Sequence, residues 1–206
     1  MTLSFANGGL HTIISGGQTG ADQGGLVAAS RYGIRTGGCA PAGYKTQVGP
    51  NPLLECLGLR AEGDYASRTK INVKESDGTV IVAHDVHSPG TRVTVSACTR
   101  YSKPALMIDV SDLLTYVRAS RLHHSTNSDL EHIGEAILVF GTKLRDFIVE
   151  HGIQTLNVAG NREIKSDGTL AGTLIMTSVA DYVVTFALDL LELDGLVIFK
   201  DSDAER

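Results

Sequence analysis

At 206 residues, with 42% hydrophobic and 20% charged side chains, the chain has the composition of a globular protein able to bury one sizeable core. A formal charge of −5 speaks against a broad surface for duplex nucleic acid, which depends on many Lys and Arg contacts to phosphate, yet it allows a small anionic ligand held by a few local cations. The three cysteines, Cys39, Cys56 and Cys98, form no CxxC pair and read as reduced core thiols. With no basic-then-apolar leader and no apolar run of roughly 18 residues, a cytoplasmic protein that spans no membrane is expected.

In chain order, Thr12 to Ser15 predicts a first strand, broken at Gly16-Gly17, and Ala21 to Tyr32 a helix. Gly37 to Pro52, rich in Gly and Pro, predicts a loop with at most a short strand. A helix follows over Tyr65 to Glu75, then the β-branched run Thr79 to Ala83, of the kind buried in parallel sheets. Ser88-Pro89-Gly90-Thr91 opens a helix reaching Tyr101, and Pro104 to Asp109 is the next strand.

The stretch Ala119 to Ser128 reads as an exposed connection. Leu130, Ile133, Ile137, Phe140, Leu144 and Phe147 then recur at steps of three and four, a helix with one apolar stripe that ends near His151-Gly152. Thr155 to Ala159 is a strand, and Ile175 to Leu193 a last helix closed by Gly195. Leu196 to Phe199 suits either an edge strand or a partner contact. Strands alternating with helices predict an α/β, Rossmann-like three-layer fold with a mainly parallel sheet. One domain over 1–206 is expected, with its core in 11–193 and a tail at 194–206.

In open parallel sheets ligands lie beyond the carboxyl ends of the strands. There the first strand gives Gly16, Gly17, Gln18, Thr19, Gly20 and Asp22; the second gives His84, Asp85 and His87, then Ser88, Pro89, Gly90 and Thr91; the last gives Gly160, Asn161, Arg162 and Glu163. Glycines let backbone approach a phosphate, helix N-termini offer unpaired N–H groups, and Arg68, Arg92 and Arg162 supply charge. The first loop is neither a Walker A loop nor GxGxxG. Its bland reading is a plain strand-to-helix turn, that of Ser88 an N-cap, and that of Asp22 an acid in a helix's first turn. A metal at His84, Asp85 and His87 has only a short cluster behind it, and no metal is expected.

Ser15 to Asp22, Gly37-Gly38 with Ala40-Pro41 and Gly43-Tyr44, Tyr65, Arg68-Thr69, Asn72-Val73, Ser76 to Thr79, Ser88 to Thr91 and Leu156 to Gly160 together resemble the family named "putative molybdenum carrier", across residues 11 to 165. That family is a branch of the SLOG superfamily, related to the LOG phosphoribohydrolases and DNA-processing protein A. The resemblance implies a SLOG, lysine-decarboxylase-like Rossmann fold, dimers or tetramers, and a nucleotide or molybdenum cofactor bound at the glycine loops, where Arg68, Thr69 and His84 join the ligand-binding set. In two places the sequence departs from its relatives: Thr94 stands where LOG hydrolases carry a glutamate, and Asn161 where carrier relatives have proline before Arg-Glu.

Two functions follow as expectations. The first is a protein that carries or sequesters a phosphorylated pterin or nucleotide without turnover: molybdenum cofactor, or a signal such as a cyclic nucleotide or cyclic ADP-ribose. No cofactor is otherwise required. The alternative is a nucleotide hydrolase of phosphoribohydrolase type, with Glu163 as its general acid or base.

Overall fold

A computed structural model describes residues 9–113, 127–163, 175–194 and 196. Its strands are β1 (Thr12–Ser15), β2 (Arg35–Ala40), β3 (Lys45–Thr46), β4 (Gly49–Pro50), β5 (Leu59–Ala61), β6 (Gly78–Ala83), β7 (Ala105–Asp109) and β8 (Thr155–Gly160). Its helices are α1 (Ala21–Arg31), α2 (Leu53–Cys56), α3 (Tyr65–Glu75), α4 (Pro89–Arg100), α5 (Asn127–His151) and α6 (Ile175–Leu193). Six strands form one sheet in the order β5-β2-β1-β8-β6-β7, every pair parallel; β3 and β4 make a separate antiparallel hairpin.

Parallel strands buried on both faces demand near-continuous apolar sequence, and Gly78–Ala83 is buried at every position. Alternate residues Ile13, Val80, Val82, Leu156 and Val158 face one main core with α1, α5 and α6. On the other face α3 and α4 contribute Val73, Ala97 and Cys98. Helices therefore cover both faces of the sheet, the three-layer α/β arrangement expected from the alternation of elements.

The predicted loop over Gly37 to Pro52 is corrected by the structure. Arg35–Ala40 is an inner strand between β1 and β5, and the hairpin lies beyond it. Its glycines, read as a break, are what let two backbones close up: at Gly38, φ is +118°, and a Cβ would fall 2.3 Å from the Ser15 carbonyl oxygen. Asn72 of α3 seals the same point, accepting from Cys39 N at 2.7 Å and donating to Cys39 O at 3.0 Å. A missing side chain here marks close packing, not a turn.

Of the expected connection at Ala119 to Ser128, only Asn127 and Ser128 fall within the described residues, and they open α5. In the tail, Leu196 packs against the main core and its N–H donates to Leu191 O, while Gly195 and residues 197–199 lie outside the described residues. Among the described residues no helix is long and apolar enough to cross a membrane.

Gly38→Ala should lower unfolding stability by about 2 kcal/mol or more, from strain at positive φ plus the backbone clash. Urea unfolding followed by circular dichroism is the measurement, and an unchanged midpoint would show that β2 can move away from β1.

Candidate functional site

The carboxyl ends of β1, β6 and β8 open onto one cleft of about 680 Å³. The β8 strand lies between the other two, so its exit, Gly160 to Glu163, forms the middle of the floor. The β1–α1 turn contributes Gln18 and Asp22 on one side, and the β6–α4 turn contributes His84, Asp85, Ser88, Pro89 and Gly90 on the other. Helix α3 closes the cleft with Tyr65, Arg68 and Thr69, whose spacing of three and four places them on one helical face.

Asn161 pins these segments together. Its backbone N–H donates to Val82 O at 3.1 Å, and its carbonyl accepts from Ala21 N at 3.1 Å. The side-chain Oδ1 accepts from His84 N at 2.8 Å and Asp85 N at 2.7 Å. Its Nδ2 donates to Asp85 O, Ser88 Oγ and Thr91 Oγ1 at 3.1–3.2 Å. One buried amide thus sets the β6–α4 turn against the end of β8.

At the start of α4, Ser88 is the N-cap: its Oγ accepts from Thr91 N at 3.3 Å. Pro89 carries no N–H, and a Cβ at Gly90 would meet nothing within 4 Å, so the first turn is open on the cleft side. Of the first-turn amides, Thr91 N donates to Ser88 Oγ and Arg92 N to Ser88 O, so the Gly90 N–H is the one left to a ligand. Arg162 is exposed at the exit of β8, its guanidinium 5.2 Å from the centre of the Tyr65 ring on α3. An anion placed at the start of α4 meets a helix N-terminus.

The β1–α1 turn is built differently. Its amides have protein partners: Gly17 N donates to Ser15 Oγ, Gln18 N to Asp22 Oδ2, Thr19 N to Gln18 Oε1, Gly20 N to Thr177 Oγ1 and Ala21 N to Asn161 O. Gly16 lies beneath Arg68, since a Cβ there would fall 1.2 Å from Arg68 Nη1. Gly17 faces Leu54 and Leu59, and Gly20 packs on the backbone of 161–163. The Thr19 hydroxyl donates towards Gln18 Oε1 and Gln47 Oε1, while that of Thr91 turns to Asp85 O.

The structure therefore brings Gln18, Asp22, Arg68, Thr69, His84, Ser88, Pro89, Gly90, Gly160, Arg162 and Glu163 to the cleft, and it places Gly16, Gly17, Thr19, Gly20 and Thr91 behind it. Sequence reasoning placed Asn161 at the strand end without a role in the ligand-binding set, and it left out Tyr65. The helical spacing of Tyr65 with Arg68 and Thr69 was a usable signal for the first. For Asn161 no local pattern was available.

Arg68 Nη1 pairs with Asp22 Oδ2 at 2.8 Å, with Asp22 only 3% exposed. Burial pushes the Asp22 carboxyl above its ordinary value; Arg68, followed by the Gln18 amide, pulls the other way without overcoming it. Glu163 spends its oxygens on the start of α6, accepting from Met176 N at 2.8 Å, Thr177 N at 3.2 Å and Thr177 Oγ1 at 2.8 Å. Thr94 donates to Gly90 O at 3.2 Å and supplies no carboxylate. Among the described residues no group of three or more His, Cys, Asp or Glu side chains is arranged to hold a metal ion.

The sequence matches the circularly permutated YpsA SLOG family over residues 13–179, and the chain belongs to that family. The chain is also similar to the crystal structure named "putative molybdenum carrier protein" from Syntrophus aciditrophicus SB: 31% identity, TM-score 0.65, covering 87% of this chain and 96% of that one. No curated protein matches it.

Asn161→Ala should cost about 2–3 kcal/mol, because two backbone N–H groups and the cap hydroxyls lose their shared partner; a smaller loss in urea unfolding would mean water replaces the amide. For Asp22 the direction of linkage is set by its raised carboxyl: its contribution is fully present below the unfolded value near 3.8 and is lost as pH rises through the native value. The stability of wild type minus that of Asp22→Asn should accordingly fall from pH 4 upwards and then level off. A difference that rises with pH would show that Arg68, not burial, governs this carboxyl.

Proposed function

We propose that the protein, as one domain, binds a phosphate-bearing pterin or nucleotide in the cleft and carries or sequesters it unchanged. The similar Syntrophus protein is named a putative molybdenum carrier, and a cleft of about 680 Å³ with charged and apolar walls has room for molybdenum held as its phosphate-bearing pterin cofactor. A nucleotide-derived signal, such as a cyclic nucleotide or cyclic ADP-ribose, offers the same combination of phosphate and heterocycle.

The observation that carries this reading is the open first turn of α4 in a cleft that exposed Arg162 also lines. Helix N-terminus and guanidinium both favour an oxyanion, and Gly90 leaves it room. Tyr65 and Val93 add apolar surface for a ring. Catalysis has less support. The carboxylate of Glu163 is held by the α6 terminus, Asp22 is paired with Arg68, and a threonine stands where LOG hydrolases have their glutamate.

Protein purified from molybdenum-replete cells should release a phosphorylated pterin or nucleotide on denaturation, close to one per chain, detected by mass spectrometry. Titrated with GMP, it should return GMP intact. Appearance of free guanine, or of inorganic phosphate, in proportion to protein and time would replace this reading with the hydrolase. Arg162→Ala should weaken phosphate-bearing ligands about 10-fold, the loss of one charge-assisted contact, and added salt should shrink the difference between the two proteins.

A further inference from the structure

The two ends of the cleft offer different chemistry, and the difference orients the ligand. At the α4 end is an open helix start. At the α1 end the glycine turn offers no backbone donor from residues 17 to 21, as each of those amides has a protein partner. Buried Asp22 also stands there, its Oδ2 accepting from both Gln18 N and Arg68 Nη1. A phosphate at this end would lie against a carboxylate. A neutral acceptor would not meet that penalty.

Two donors remain at that end. Gln18 Nε2 and Arg68 Nε are buried and have no hydrogen-bond partner among the described residues. For Gln18 the orientation of the amide is set by its neighbours. Its oxygen accepts from two backbone N–H groups, Thr19 N at 3.0 Å and Gln47 N at 2.6 Å, and neither could face an NH2 group. The nitrogen is therefore the other end of a side chain that is 4% exposed and lines the cleft. Both nitrogens are out of contact with solvent, so bulk water does not satisfy them. Arg68 lies across Gly16 and is held there by its ion pair to Asp22.

We propose that Gln18 is a specificity-determining residue: its Nε2 reads a ring oxo group at the α1 end while the phosphate lies at the α4 end. This rests on the ligand site described above and narrows its occupant to an oxo-bearing heterocycle. The 2-amino-4-oxopyrimidine ring is common to pterins and guanine, so GMP serves as the probe; 2-aminopurine riboside monophosphate lacks the oxo group and, with it, the N1–H, so the Gln18 variant is what separates the two losses. Gln18→Glu keeps an oxygen for Thr19 N and Gln47 N and replaces the donor with an acceptor.

The test is equilibrium titration of the full chain at pH 8. Wild type should bind GMP about 10-fold or more tightly than 2-aminopurine riboside monophosphate, since the analogue leaves a buried donor unmet. Gln18→Glu should bring the two affinities within about 3-fold, mainly by weakening GMP, while inorganic phosphate competes equally well in both proteins. Equal affinities of wild type for the two nucleotides would overturn the proposal without any variant, and so would a preference that survives Gln18→Glu. If neither nucleotide binds yet denatured protein still releases a phosphorylated molecule, the site stands and the role of Gln18 falls. If nothing is released and nothing binds, both fall.

Discussion

The architecture of the cleft depends on the amide of Asn161. A parallel sheet brings the ends of β1, β6 and β8 side by side, but the loops leaving them are free to diverge unless something ties them. Asn161 does so from the central strand, through main-chain bonds to Val82 and Ala21 and side-chain bonds to His84, Asp85, Ser88 and Thr91. Asparagine suits the task because one planar group accepts at one end and donates at the other. A proline at this position could make neither the side-chain bonds nor the N–H bond to Val82.

Held in this way, the cleft has two ends of unlike character. The α4 end is an exposed helix start, suited to negative charge. The α1 end is a satisfied glycine turn, with Arg68 laid across Gly16 and paired with a buried aspartate. Glycine here does not expose backbone to a ligand. It provides the space into which a guanidinium settles. Burial holds the Asp22 carboxyl above its ordinary value in spite of the Arg68 guanidinium beside it.

Much of the fold was legible in the sequence because parallel strands and amphipathic helices leave periodic signatures. The spans of β1, α3 and α6 were predicted to the residue, and β6, β7 and β8 to within one. The β2 strand was missed for a physical reason: in Arg35–Ala40 the packing is achieved by the absence of side chains, so hydrophobic periodicity has nothing to report. The short β3–β4 hairpin and α2 are held by tertiary contacts too local to leave a repeat.

For the site, residue type and position beyond the strand ends were enough to nominate Gln18, Asp22, His84, Ser88 to Gly90, Gly160 and Arg162, because a chain that alternates strand and helix must bring those ends to one edge of its sheet. What the sequence could not decide is which of them meet solvent and which meet each other. That Glu163 turns to the start of α6, that Gly16 is covered and that Asn161 is the tie are outcomes of packing between segments far apart in the chain. Local sequence dictates the menu of donors and acceptors; only the folded chain settles which of them are already spent on one another.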